Sequence, residues 1–423
     1  LGGLCYKLPP YFLKQSKPHQ ELSLPTEDII DDSNRYIMNT YRRFPIVLVK
    51  GRGTRLFDTT GKEYLDFVSG VAVTNLGHCY PQVTVAFQKQ AQRLGHVSNL
   101  YYSKPQTHLA KKLVQHSCLD KVFFCNSGAE ANEAALKLAR RYAQLRNETE
   151  KNEIITFEHS FHGRTFATLS ATGQEKVKKG FYPIFPGFVH VPLNDIDALA
   201  KAVHSKTLAV MLEPIQGEGG INIPNEGYLQ KVKQLCEENG LLLIFDEIQT
   251  GIGRTGTLFA YEHFNIFPDI LTLAKGLGGG LPIGAMLARE EVASAFEPGQ
   301  HASTFGGNPV VCSSALATLD SILEESFLLE NCRRMGEYFI KGLMELQRRC
   351  PGIKEIRGKG LLIGMELTFD GQEVVQDCLE EGFLINCTME KVLRFMPPLI
   401  ITMEEIDLLL NTLEKILKRR GTV

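Results

Sequence analysis

Lys275 stands at the end of the apolar segment DILTLA, and glycines follow it at 276, 278, 279, 280 and 284. An amine at the exit of a buried strand suits two chemistries: a point charge that holds a phosphate, or a nucleophile made reactive by partial burial. The glycines let backbone approach a ligand closely and adopt conformations closed to other residues. Asp246 repeats the arrangement with an acid, directly after LLLIF. A buried aspartate there needs a cation or hydrogen-bond donors. Gln249, three residues on, is placed to address the same ligand.

Three further apolar runs end in polar residues. After KVFFC come Asn126, Ser127, Gly128 and Ala129, then Ala131, Ala134, Ala135, Leu138 and Tyr142 at helical spacing. A helix starting there offers free N–H groups and the positive end of its dipole to an anion. Ser127 and Glu130 equally fit an S-x-x-E capping box, which needs no ligand. NEIITF leads to Phe161, His162, Gly163 and Arg164, an aromatic and an arginine that suit a flat ring beside a carboxylate. Taken alone, FHGR reads more simply as a core phenylalanine and a surface arginine. LAVML leads to Glu213, ahead of Pro214 and a glycine-rich turn, where a carboxylate must be paired or solvated in a cleft.

One motif points elsewhere. Gly251 to Gly256, GIGRTG, matches the dinucleotide fingerprint G-x-G-x-x-G and would make the chain a nicotinamide-dependent dehydrogenase. That fingerprint should follow its strand directly and open a helix in the first βα unit. Here DEIQT intervenes and the motif lies past the middle of the chain. The P-loop consensus is absent as well.

These residues need elements to position them. The runs KVFFC, NEIITF, LAVML, LLLIF and DILTLA alternate with helical stretches such as EGYLQKVKQLCEEN, which predicts an α/β domain with a mostly parallel sheet. Ligands bind outside the carboxyl ends of such strands. The chain is expected to divide into a tail over 1–25, an N-terminal segment over 26–70 that packs with the small domain, a large domain over 71–310 and a smaller α+β domain over 311–423. In the last, IRGKGLLIGMELTF, GFLINC and VLRFMPP read as strands and EEIDLLLNTLEKILKR as a closing amphipathic helix.

Bulk properties exclude several classes. A net charge of −2 gives no general attraction to nucleic acid or anionic membranes, and no apolar run approaches a membrane span. The ten cysteines show neither C-x-x-C nor zinc spacing, which fits reduced thiols in a cytoplasmic compartment. Lys7, Lys14 and Lys17 precede any acid, so an organelle stroma or matrix is the alternative if the tail is a transit remnant.

A lysine amine, a phosphate cradle, an aromatic plate and a buried aspartate together fit pyridoxal 5'-phosphate. Lysine forms a Schiff base with its aldehyde, and aspartate keeps the pyridine nitrogen protonated. With NSGAEANEAALKLAR, FHGRT, EPIQGEGG, DEIQTGIGRTG, LAKGLGGGLPIGA, STFGGNP and LRFMPPLIIT, the chain resembles the class III, ornithine-type aminotransferases of PLP fold type I from about Asn39 to its end. The resemblance implies Lys275 as the Schiff-base lysine and proton carrier, Asp246 at the pyridinium nitrogen and Gln249 near the phenolic oxygen. It implies Ser127, Gly128 and Ala129 at the phosphate, joined by Thr304 of the other subunit of a homodimer, and Phe161 stacked on the ring. Arg164 resembles the clamp for the substrate α-carboxylate, and Glu213 with Arg394 the pair in which an acid masks an arginine until 2-oxoglutarate arrives. FHGRT with EPIQGEGG favours the branch acting on N-acetylornithine in arginine biosynthesis; ornithine, succinylornithine and 4-aminobutyrate are the alternative donors.

Overall fold

Seven apolar segments build one sheet: β1 (Lys121–Cys125), β2 (Glu153–Phe157), β3 (Phe188–Val191), β4 (Thr207–Leu212), β5 (Leu242–Asp246), β6 (Ile270–Leu273) and β7 (Gly284–Ala288). The computed structural model describes residues 25–324 and 327–420 of the chain, so the tail predicted over 1–25 lies almost wholly outside the described residues. Across the sheet the order is β1-β7-β6-β5-β4-β2-β3. β7 runs antiparallel to both its neighbours, and the pairs β2–β3, β2–β4, β4–β5 and β5–β6 are parallel. The five runs read as strands are all present. FVHV and GAMLA are two more, each too short and too close to glycine or proline to stand out.

β4, β5 and β6 are buried along their whole length, which explains their unbroken apolar character: both faces of the sheet are covered. Met211, Ile244, Ile270 and Met286 pack on one side with Ala134, Ala135 and Leu138 of the helix Gly128–Leu145. The small alanines let that helix approach the sheet closely. Val210, Leu243, Leu271 and Leu287 face the opposite core, with Leu229 and Val232 of the helix Tyr228–Glu238. The registers Leu212↔Phe245 and Asp246↔Thr272 bring Glu213, Asp246 and Lys275 out at one edge.

A second, antiparallel sheet joins Ile353–Lys359, Leu362–Leu367, Val392–Phe395 and Asn386–Thr388 in that order. The amphipathic helix Met403–Arg419 follows, capped by Thr402, whose hydroxyl accepts from the N–H of Glu405. Leu65 and Asp66 pair in parallel with Phe383 and Leu384. By compactness the described chain divides into one unit of residues up to 50 with 57–63, and another of 51–56 with everything from Tyr64 onward. The first unit holds the helix Thr26–Tyr36, which buries no residue.

Candidate active site

A cavity of about 500 Å³ opens at the carboxyl edge of the large sheet. Its wall includes Ser127, Gly128 and Ala129, Phe161 and Arg164, Glu213, Asp246, Gln249 and Lys275, so four loops and one helix start converge on it. Of the sequence-predicted site residues, Thr304 and Arg394 are outside this lining; Thr304 is exposed on the loop after His301.

Lys275 follows β6 with a positive φ of 40°, a conformation costly for a residue with a side chain and typical of functional sites. Burial lowers the pKa of its amine below the usual lysine value, against the pull of Glu218. No side chain among the described residues forms an ion pair with it. The glycines after it have definite tasks: Gly279 and Gly280 adopt φ of 57° and 109°, and a Cβ on Gly284 would lie 2.3 Å from the carbonyl oxygen of Ser127. The lysine turn and the helix start are thereby packed backbone to backbone.

Asp246 is 3 % exposed and held by three donors. Its Oδ2 accepts from Nδ1 of His162 at 2.7 Å and from Nδ2 of Asn132 at 2.8 Å, and Oδ1 accepts from the N–H of Ile248 at 3.0 Å. Asn132 is fixed in turn, its Oδ1 accepting from the Thr272 hydroxyl at 2.7 Å. His162 was visible in FHGR without a role and Asn132 carried no signal; both lie in segments already singled out.

The helix predicted near 126–128 begins at Gly128, with Ser127 as its cap accepting from the N–H of Glu130 at 3.2 Å. The return half of the predicted capping box is shifted by one residue, since the Glu130 carboxylate accepts from the N–H of Asn126. The first-turn N–H groups of Gly128 and Ala129 have no intrahelical acceptor. Phe161 and Ile248 supply apolar wall, and the Arg164 guanidinium stacks over the Phe161 ring at 5.6 Å. Arg164 is exposed and without an ion-pair partner among the described residues.

The expected pairing of Glu213 with Arg394 is corrected by the structure. Arg394 Nη1 donates to Oε1 of Glu218 at 2.6 Å, and Arg394 is almost wholly buried. Glu213 has its oxygens taken by backbone: Oε2 accepts from the N–H of Phe161 at 3.1 Å and Oε1 from that of Gly217 at 3.0 Å. Both acids lie in EPIQGEGG, and only the fold of the turn reveals which one reaches the arginine. Burial alone would raise the Glu218 carboxyl, but Arg394 and then Lys275 outweigh it and hold it at about 2. Glu213 is pushed up to about 7 by burial, opposed by His162 and reinforced by Asp246. Gln249, at the cavity wall, adjoins the same pair. Its Nε2 donates to Glu218 at 3.3 Å, and its Oε1 lies 3.4 Å from Arg394 Nη1.

GIGRTG forms a turn and opens no helix. Its arginine, Arg254, is fully buried and donates to the carbonyl oxygens of Leu361 and Pro397 and to Oδ1 of Asn75, which makes the motif a structural clasp.

Residues 36–417 match the aminotransferase class-III family, and the chain belongs to it. The acetylornithine aminotransferase of Methanocaldococcus jannaschii is 52% identical over 390 residues, covering 92% of this chain and 98% of that protein. That of Caldanaerobacter subterraneus is 54% identical, covering 92% and 99%. Among solved structures, the ornithine aminotransferase of Toxoplasma gondii superposes with a TM-score of 0.90 at 37% identity, covering 94% of this chain and 96% of that one. The chain is therefore an aminotransferase of PLP fold type I, with pyridoxal 5'-phosphate as its cofactor.

The cavity fits that group on its own terms. It offers an amine without an ion-pair partner among the described residues, the free N–H groups of a helix start, an aromatic wall and a buried carboxylate held by three donors.

Proposed function

We propose that the chain transfers the amino group of N2-acetyl-L-ornithine to 2-oxoglutarate, giving N-acetyl-L-glutamate 5-semialdehyde and L-glutamate, in arginine biosynthesis. The observation that carries this reading is the contrast between two arginines. Arg164 is exposed at the cavity wall and without an ion-pair partner among the described residues, while Arg394 is buried and covered by Glu218. Acetylornithine has one carboxylate, remote from the reacting amine. 2-Oxoglutarate has two, one of them beside the reacting carbonyl. An open arginine serves the carboxylate both substrates share; a masked one serves the extra carboxylate of the keto acid, and bidentate arginine pairing makes the discrimination strong. The relatives named acetylornithine aminotransferase, at about half identity along nearly their whole length, support the choice of donor.

Bound pyridoxal phosphate supplies an electron-accepting ring and an aldehyde carbon that exchanges amino groups. Ser127, Gly128 and Ala129 would hold its phosphate. Phe161 and Ile248 would confine the ring, and Asp246 would pair with the pyridine nitrogen. Lys275 would anchor the cofactor, and its amine would carry the proton that leaves the substrate carbon. Its lowered pKa leaves more of the amine unprotonated at neutral pH than an ordinary lysine would have.

The working unit is a homodimer in which Thr304 of the second copy completes the phosphate site. Thr304 lies beside Phe305, which is 60 % exposed, and the loop is hydrogen-bonded through Asn99 to the segment bearing Leu100, Tyr101 and Tyr102, all at least two-thirds exposed. An apolar surface of that kind marks an interface. The compartment is the cytoplasm; among the described residues no helix is long and apolar enough to cross a membrane.

The test is kcat/KM for N-acetylornithine, ornithine, succinylornithine and 4-aminobutyrate with 2-oxoglutarate as acceptor. N-acetylornithine should lead. A clear preference for another donor would move the chain to that branch of the family.

A further inference from the structure

Arg357, Gly364, Arg394 and Asn386 oppose one another across the four strands of the C-terminal sheet. Directly opposed residues on antiparallel neighbours point to the same face. Two arginines therefore rise from one surface with a glycine between them.

Both grip the same turn. Arg394 takes the carboxylate of Glu218. Arg357 donates from Nε to the carbonyl oxygens of Gly220 at 2.9 Å and Ile221 at 3.1 Å. The glycine between them leaves the turn its room, since a Cβ at Gly364 would lie 3.1 Å from Cβ of Ile221.

The turn needs holding. Ile221 is β-branched yet has φ of 56°, a strained conformation that persists only where its surroundings impose it. Arg357 is itself anchored, with Nη1 donating to Glu355 at 2.7 Å and to Glu366 at 2.6 Å. The Thr388 hydroxyl adds a bond to the Glu218 carbonyl from the same sheet.

We infer that Arg357 is a positioning residue that latches the Gly217–Ile221 turn closed and so sets how readily Glu218 leaves Arg394. This rests on the reading of Glu218 as the cover of Arg394. A dicarboxylate binds only when the cover is off, so its apparent affinity scales with the open fraction. Loosening the latch should therefore strengthen dicarboxylate binding, an outcome that mere structural damage would not give.

The experiment titrates the holoenzyme with glutarate, an unreactive five-carbon dicarboxylate, by calorimetry, and follows hydrogen exchange of the Gly217–Ile221 amides. Wild type, Arg357→Gln, Arg357→Lys and Glu218→Gln are compared. Both Arg357 variants should bind glutarate about three- to tenfold tighter than wild type and exchange the turn amides faster, with Glu218→Gln shifting affinity at least as far. Arg357→Lys retains the charge, so it separates the latch from a change in local potential and serves if Arg357→Gln does not fold. If Glu218→Gln tightens binding while both Arg357 variants match wild type or bind more weakly, the latch is wrong and the cover stands. If Glu218→Gln also fails to tighten binding, the cover reading falls and the latch with it.

Discussion

Nδ1 of His162 lies 2.7 Å from Oδ2 of Asp246, and both side chains are buried. The opposite ring nitrogen, Nε2, has no hydrogen-bond partner within the described residues. The imidazole is thus committed to the aspartate, and with Asn132 and the Ile248 N–H it fixes the orientation of the Asp246 side chain at the cavity wall. Asp246→Asn should still bind cofactor but lower kcat by about 10²-fold or more, since it removes a fixed charge from the reacting system. His162→Gln should show a smaller loss in kcat with KM little changed. Wild-type turnover in Asp246→Asn would refute the role.

Lys275→Ala should abolish turnover and covalent attachment, because no other amine among the cavity-lining residues can replace it. Mass spectrometry after borohydride reduction reads this directly: wild type gains the cofactor mass at Lys275 and the variant gains none. The lowered pKa gives a second check. The rate of attachment to the apoprotein should rise with pH around a midpoint below the ordinary lysine value of 10.5.

How much of this was legible in the sequence follows from which interactions are local. Lys275, Asp246 and Glu213 each end an apolar run, and a strand buried on both faces leaves that signature. Ser127 was legible because a helix cap is written in four consecutive residues. The partner of Arg394 was not, since Glu213 and Glu218 have the same chemistry five residues apart and only the fold of the turn between them shows which one reaches the arginine. Asn132 was hidden for a similar reason: its contact with Asp246 spans 114 positions. β7 was missed because its partners, β1 and β6, lie on both sides in space while its own five residues follow a glycine-rich turn.

Glu213 makes a prediction about stability. Its carboxyl ionises at 4.5 in the unfolded chain and at about 7 in the folded one, where burial opposes the charge. Between those values the unfolded state releases a proton that the folded state retains, so stability falls as pH rises through the window and levels off above it. Glu213→Gln has no proton to lose. Its urea midpoint relative to wild type should improve from about pH 4.5 to about pH 7, and parallel profiles would contradict the assignment.

The two arginines should separate in steady-state kinetics. Arg164→Ala should raise KM for both substrates by about 10- to 100-fold, from the roughly 1.5–3 kcal/mol of a hydrogen bond to a charged group. Arg394→Ala should raise KM for 2-oxoglutarate by a similar factor and leave that for the amino donor nearly unchanged. Equal effects of both variants on both substrates would contradict the division between an open and a covered arginine.

The proposed function requires Lys275 to hold a pyridoxal cofactor that takes its amino group from N-acetylornithine. A visible absorption spectrum of the purified holoenzyme, before and after N-acetylornithine is added without any keto acid, tests it most directly. A yellow band should collapse toward the absorption of the aminated cofactor and return when 2-oxoglutarate is added. A band that N-acetylornithine leaves unmoved would contradict the donor assignment, and a protein that stays colourless after incubation with pyridoxal phosphate would contradict the role of Lys275 itself.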